Sequence, residues 1–329
     1  MEKLKLGVLG CAKIYSMRVV PALKLSNLIQ PYAIASRDIE KGKTYAVTNE
    51  FTKVYDSYDA LLNDKDVDFI YIPLPNHLHL EYIKKAADAG KHVLCEKPIC
   101  LNAAETKEAA LYCQEKNILL MEAFMYRFHP QWIKAKELIT SGEIGDLLTV
   151  HTHFSYMNKD PNNIRNIAEM GGGAVYDIGC YAISVARFLF GYEPIRIICN
   201  MIRDPAFKTD IFVSGILDFG SGRTSTFTTS TQMQPFQRVT AIGTAGTLSI
   251  EIPFNKPVDI PGKITVVTSV EQRVIESKIA DQYLLQFDAF AKAIIEKTET
   301  PTPIADAIAN MAVIDAVYKS GESGLWEAV

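Results

Sequence analysis

Residues 4–14 read Leu4-Lys5-Leu6-Gly7-Val8-Leu9-Gly10-Cys11-Ala12-Lys13-Ile14, a short apolar run that stops at a glycine and passes into a helical pattern. A run of this kind, ended by a Gly turn, is read as a buried strand. Small residues at Gly10 and Ala12 make the following turn tight. A tight strand-to-helix turn leaves backbone N–H groups facing outward at a helix N-terminus, where a pyrophosphate is held. Gly10, Cys11, Ala12, Lys13 and Ile14 are therefore the first candidates for dinucleotide contact. The third small position of the G-x-G-x-x-G pattern is Tyr15, and a turn of purely structural purpose is the competing reading.

Outward from this stretch, β-rich runs at 4–9, 32–36, 69–72, 92–95 and 118–121 alternate with helical patterns such as 78–89, ended by Gly90, and 103–115. Such alternation implies βαβ units on a parallel sheet, so an α/β Rossmann domain is expected over 1–122. The texture then changes. After a helix-like segment at 131–140 come long β-rich runs at 147–156, 195–202, 212–219, 224–231, 237–242, 247–252, 264–269 and 273–279. Turns at Gly220-Ser-Gly222 and Gly243-Thr-Ala-Gly246 favour hairpins. Helices at 283–296 and 304–319 close the chain. Residues 123–329 are thus expected to form an α+β domain with a large, mainly antiparallel sheet, for substrate binding and oligomerisation.

Composition narrows the function classes. At 329 residues, 48% hydrophobic and 22% charged, the chain is long enough for two ordinary globular cores. A net charge of −4 offers no basic field for a phosphate backbone, which excludes nucleic acid as an expected partner. The opening apolar run is too short for an export signal, and the richest apolar stretch, 180–190, is interrupted by Ser184 and Arg187. No membrane span is expected. The six cysteines are scattered without a C-x-x-C pair, which reads as reduced thiols in a cytoplasmic protein with no metal.

Three more segments carry candidate chemistry. At the end of the second strand, Ser36 and Arg37 offer a hydroxyl and a planar cation suited to a 2′-phosphate, which favours NADP. Arg37 paired with Asp38 or Glu40 on the surface, or Asp38 receiving the ribose of NAD, are the alternatives. Pro73, Leu74, Asn76 and His77 follow the third of these strands, and Glu96 and Lys97 follow the fourth. Both sets stand where parallel sheets bind ligands, so they are expected at the cofactor. His77 and His79 lack further residues to complete a metal site, and Lys97 has a solvated lysine as its bland reading.

The chain resembles the Gfo/Idh/MocA family of oxidoreductases over nearly its whole length. The resemblance rests on Gly10-Cys-Ala12, Pro75-Asn76-His77, Gly90-Lys-His-Val-Leu-Cys-Glu96-Lys97-Pro98 and Gly171-Gly-Gly-Ala-Val-Tyr-Asp177-Ile-Gly-Cys-Tyr181. Met121-Glu122-Ala-Phe-Met-Tyr126-Arg127-Phe-His129-Pro130 and Asn163-Ile-Arg165 narrow it toward NADP-dependent D-xylose dehydrogenases and trans-dihydrodiol dehydrogenases. It implies Arg127 at the cofactor, and Tyr126, Phe154, Asn163 and Arg165 near the substrate. Tyr156 and Phe236 are further candidates for the pocket lining.

Asp177 and Tyr181 are four apart in an expected helix that starts after Gly171-Gly172-Gly173, so they share a face. With Lys97 nearby, Tyr181 would exchange a proton with a substrate hydroxyl, and Asp177 would orient a second hydroxyl or hold Lys97. A packed structural pair is the alternative. The expected activity is hydride transfer between a hydroxyl carbon of a cyclic polyol or aldose and the nicotinamide. Reduction of a sugar ketone, oxidation of a trans-dihydrodiol, and a non-enzymatic NADP sensor are the other readings. Ile195, Ile197, Val213, Ile216 and Leu217 suggest an apolar sheet face left uncovered, hence a homodimer or dimer of dimers through that sheet.

Overall fold

A computed structural model describes residues 2–329. Its first unit alternates β1 (Leu4–Leu9), α1 (Val20–Leu23), β2 (Ile29–Ala35), α2 (Ile39–Thr48), β3 (Lys53–Tyr55), α3 (Tyr58–Leu62), β4 (Phe69–Ile72), α4 (His79–Asp88), β5 (His92–Cys95), α5 (Ala103–Glu115) and β6 (Leu120–Glu122). The strands are all parallel, in the order β3-β2-β1-β4-β5-β6. Every residue of β4 is buried, as a strand covered on both faces requires. The order reverses between β1 and β4, and the crevice beyond the carboxyl ends of these strands is where doubly wound sheets bind dinucleotides.

The remaining elements are α6 (Pro130–Thr140), β7 (Leu147–Met157), α7 (Cys180–Phe190), β8 (Arg196–Arg203), β9 (Asp210–Gly220), β10 (Arg223–Ser230), β11 (Gln232–Gly243), β12 (Gly246–Ile250), β13 (Lys263–Thr268), β14 (Gln272–Glu276), α8 (Gln282–Glu296), α9 (Ile304–Ser323) and β15 (Glu327–Ala328). Nine strands form one sheet in the order β14-β13-β12-β11-β7-β10-β9-β8-β15. Only β7 and β10 run parallel; the other pairs are antiparallel.

Two compact units result, one of residues 1–125 with 281–308, the other of 126–280 with 309–329. A single division at 122 leaves out this return of the chain. The reason is apolar. On α8, Phe287 and Phe290 are fully buried, with rings 5.1 Å from Tyr71 and 5.8 Å from Phe69 of β4. Ser26 adds a 2.6 Å hydrogen bond to Asp288.

In the second unit one sheet face is covered and the other open. Val213, Leu217 and Ile197 are fully buried, which corrects the expectation that they belong to an open apolar face. Alternation along a strand sends them inward, while Ile216 of β9 points outward. Ser214, Thr226, Thr228, His151, Arg238 and Thr240 line depressions on the outer face, together with Ile216 and Phe236. That face is more polar than the sequence pattern suggests. Residues 168–190 are long and apolar enough to cross a membrane, but 78% of their most apolar window is buried, as in a core helix.

Candidate active site

In the first unit, the tight turn after β1 forms at Gly10, which has φ +89°, a conformation that favours glycine. A Cβ there would lie 3.0 Å from Leu74 Cδ2, so the backbone closes on the loop after β4. Tyr45 donates a hydrogen bond to the Ala12 carbonyl at 2.7 Å and holds the turn from α2. Tyr15, the departure from the small-residue pattern, is fully buried and stacks on Phe51 at 5.3 Å. Tyr15 opens a π turn over Tyr15–Val19, and its ring also packs 6.1 Å from Tyr71 of β4.

Asp38 caps α2: its carboxylate accepts from the Glu40 and Lys41 N–H groups, both at 3.1 Å. Ser36 Oγ in turn accepts from the Asp38 N–H at 3.3 Å, while Arg37 is exposed beside these groups. Asp38 is therefore engaged by its own helix, a role sequence reasoning did not assign. The residues here fit a dinucleotide with a 2′-phosphate: a glycine cradle without room for a side chain, and an exposed guanidinium beside the Tyr58 hydroxyl where an NAD enzyme carries an acid.

Pro73 and Leu74 begin the loop after β4, Asn76 opens a short turn, and His77 is exposed. Glu96 accepts a 2.6 Å hydrogen bond from the Tyr71 hydroxyl, and the half-buried Lys97 follows it. His79 was paired with His77 on sequence, but only His79 is buried. Its ring nitrogens lie 2.8 Å from the Leu74 carbonyl and 3.0 Å from that of Pro98. It ties the loop after β4 to the loop that carries Lys97. Burial lowers its pKa to about 4 against the opposing pull of the surrounding carbonyls.

In the second unit the helix bearing Asp177 and Tyr181 begins with a π turn, Val175–Gly179, and continues as α7. A regular helix was expected; π turns widen the backbone and are frequent at functional sites. The three glycines before it have separate reasons. Gly171 ends a turn with φ +75°, and a Cβ on Gly172 would sit 2.6 Å from the Arg165 carbonyl. Gly173, with φ +124°, has no room for a Cβ beside Asp210 Oδ1.

Asp177 is bound by Arg165 Nε at 2.8 Å and by the Tyr156 hydroxyl. These are charge-assisted bonds that fix the direction of the carboxylate. The Asp177 charge raises the Arg165 pKa further above its ordinary value, and burial followed by that same charge raises the Tyr156 phenol. Asn163 orders the arginine's turn by accepting from the Arg165 N–H at 3.1 Å.

Tyr181 sits among rings: Phe254 at 5.0 Å, Phe154 at 5.9 Å and Tyr126 at 6.0 Å. Trp132 packs behind, 5.4 Å from Tyr126. Phe254 and Trp132 escaped sequence reasoning; Phe254 lies between strands with no periodic pattern around it. Tyr126 bonds Ser184 Oγ at 2.7 Å, and Arg127 falls in the second unit, where Nη2 donates to the same oxygen at 2.9 Å. Phe236 lies on the open sheet face, half exposed against His153, and is not part of this cluster.

Residues 4–124 match the oxidoreductase family with an NAD-binding Rossmann fold, and residues 132–249 match the GFO/IDH/MocA C-terminal domain. A D-xylose 1-dehydrogenase (NADP(+)) of Haloferax volcanii is 38% identical over 97% of both chains. A trans-1,2-dihydrobenzene-1,2-diol dehydrogenase of Xenopus tropicalis is 33% identical over 78% of both. Among solved structures, a 3-ketoreductase from Actinomadura kijaniata in complex with NADP and TDP-benzene superposes with a TM-score of 0.93, at 28% identity over 97% of this chain and 98% of that one. A glycine cradle on a parallel sheet, an ordered acid and phenol on one helix, and both family matches lead to one conclusion: the chain belongs to the Gfo/Idh/MocA family of NAD(P)-binding oxidoreductases.

Proposed function

We propose that this oxidoreductase removes a hydride and a proton from a secondary or hemiacetal hydroxyl of a cyclic polyol or aldose, with NADP as the acceptor. The observation that carries the reading is the pair Asp177 and Tyr181, a carboxylate anchored by Arg165 and Tyr156 beside a phenol walled by Phe254, Phe154 and Tyr126. NADP, when bound, supplies the nicotinamide carbon that takes the hydride. Gly10, Cys11, Ala12, Lys13 and Ile14 hold its pyrophosphate, Ser36 and Arg37 its 2′-phosphate, and Pro73, Leu74, Asn76, His77, Glu96 and Arg127 the rest.

Tyr181 takes the hydroxyl proton as the carbon loses its hydride. Lys97 supplies the positive charge that favours the phenolate, and Asp177 accepts a hydrogen bond from a neighbouring hydroxyl. Tyr126, Phe154, Asn163 and Arg165 shape the space for the ring. In reverse, the same phenol protonates the oxygen of a sugar ketone, a reading favoured by the likeness to the 3-ketoreductase. None of the six cysteines is joined in a disulfide and five are buried, which supports a reducing cytoplasmic setting. The open sheet face supports a homodimer or a dimer of dimers.

Turnover of a panel of aldoses, inositols and dihydrodiols, read by absorbance of the reduced cofactor, tests the reading. Tyr181→Phe is expected to lower kcat by about a hundredfold while NADP affinity holds. Near-normal turnover by that variant with every substrate would remove Tyr181 from the chemistry.

A further inference from the structure

Asp210, the first residue of β9, lies outside the family motifs, and its side chain is not used in the mechanism. It is 1% exposed and enclosed in the second unit, with Arg203 opposite it on β8 as the nearby positive charge. Burial raises its pKa against the pull of its hydrogen bonds. A buried carboxylate is costly to keep, so its bonds indicate its use. Oδ2 accepts from the Val175 N–H at 2.7 Å, the first residue of the π turn, and Oδ1 accepts from the Tyr318 hydroxyl of α9 at 3.0 Å. The Tyr318 ring packs 5.0 Å from Tyr176, the neighbour of Asp177.

Gly173 belongs to the same arrangement, because any side chain there would displace the Asp210 carboxylate. A strand residue thus does for this helix what a local cap does elsewhere: it satisfies an N–H that has no partner within the helix and fixes where the helix begins. Asp177 lies two residues beyond Val175 and Tyr181 six residues beyond it. Without that hold the first turn is free to fray: Asp177, inside the turn, loses its fixed direction, and Tyr181, one turn further on, stands on a less firmly anchored helix end.

We propose that Asp210 is a positioning residue for Tyr181 and Asp177: from β9, and held by Tyr318, it pins the start of the helix that presents them. The proposal rests on the proton-transfer role given to Tyr181 above. It predicts that geometry, and not cofactor binding, depends on this carboxylate.

The test compares Asp210→Ala with Asp210→Asn, using the best aldose or polyol from the panel. Asp210→Ala is expected to lower kcat at least about tenfold with the NADP dissociation constant within about twofold of the parent. Amide hydrogen exchange over residues 174–181 should accelerate in the same variant. Asp210→Asn keeps a carbonyl oxygen for Val175 and an amide for the Tyr318 oxygen, and should restore kcat to within about threefold. An unchanged kcat or unchanged exchange in Asp210→Ala overturns the proposal, as does failure of the asparagine to restore turnover. Where Asp210→Ala does not fold, Tyr318→Phe removes one of the two holds and decides by the same two readouts, no change in either being the overturning result. The exchange readout is independent of catalysis, so loss of the Tyr181 role through an active Tyr181→Phe is distinguishable from loss of the Asp210 role.

Discussion

At the scale of single residues, the choice of cofactor turns on who holds Asp38. Its carboxylate caps α2 through two backbone bonds, so under the proposed function Arg37 is the charged group left for the 2′-phosphate. Arg37→Ala should weaken NADP at least about tenfold and leave NAD within about twofold, since a guanidinium–phosphate pair is a strong, directed contact. Fluorescence titration with both cofactors checks this, and equal weakening of the two would refute it. Two buried histidines make a separate prediction. His79 and His129 have pKa values lowered to about 4 by burial, aided at His129 by the Lys256 charge. The unfolded chain binds these protons at its ordinary value of about 6.5, so between 6.5 and 4 it holds more protons than the folded chain. Their stability contribution is complete above pH 6.5 and is lost as pH falls toward 4, by about 3 kcal/mol for each at most. The urea midpoint should drop clearly from pH 7 to pH 5, and an unchanged midpoint would contradict the burial argument. Sequence reasoning named the candidates Lys97, Asp177 and Tyr181, but the partners Tyr156 and Arg165 on Asp177 come from residues 12 and more positions away, which no local pattern connects.

Among elements, both segments that carry the chemistry interrupt a helix with a π turn, Tyr15–Val19 after the glycine turn and Val175–Gly179 before Tyr181. Hydrophobic periodicity does not separate a π turn from an α turn over five residues, which is why neither was foreseen. The strands of the first sheet were legible to within three residues, because buried parallel strands are continuous apolar runs. β3 escaped because Lys53–Tyr55 is three residues long and nowhere fully buried. The return of α8 to the first unit is the larger surprise, and it carries a stability prediction. Phe287→Ala should cost about 3–5 kcal/mol, the range for removing a fully buried aromatic ring. Urea denaturation followed through the first unit checks it. A loss below about 1 kcal/mol would mean that α8 is only laid against that unit.

For the whole molecule, assembly depends on the open face of the nine-stranded sheet. Ile216 is 38% exposed and Phe236 51%, set among Thr226, Thr228, His151 and Arg238, a mixture closer to a protein interface than to an aliphatic core. A self-associating face of this kind predicts a mass in light scattering of at least twice 36.6 kDa at micromolar concentration. Ile216→Lys should shift the mass to that of one chain without unfolding it, since the side chain already points to water. A parent mass of 36.6 kDa, unchanged on concentration, would refute the assembly. The amino-acid sequence by itself determined the parallel sheet, the glycine turn, the large second sheet and the motif that carries Asp177 and Tyr181, because each is written in neighbouring residues through apolar period, turn chemistry or small-residue spacing. Tertiary structure alone decided which face of the second sheet is open, where α8 packs, and which side chains hold Asp177 and the start of its helix. Those outcomes depend on contacts between residues far apart in the chain, such as Asp210 with Val175 and Phe287 with Tyr71, and they are chosen by which surfaces can be buried together.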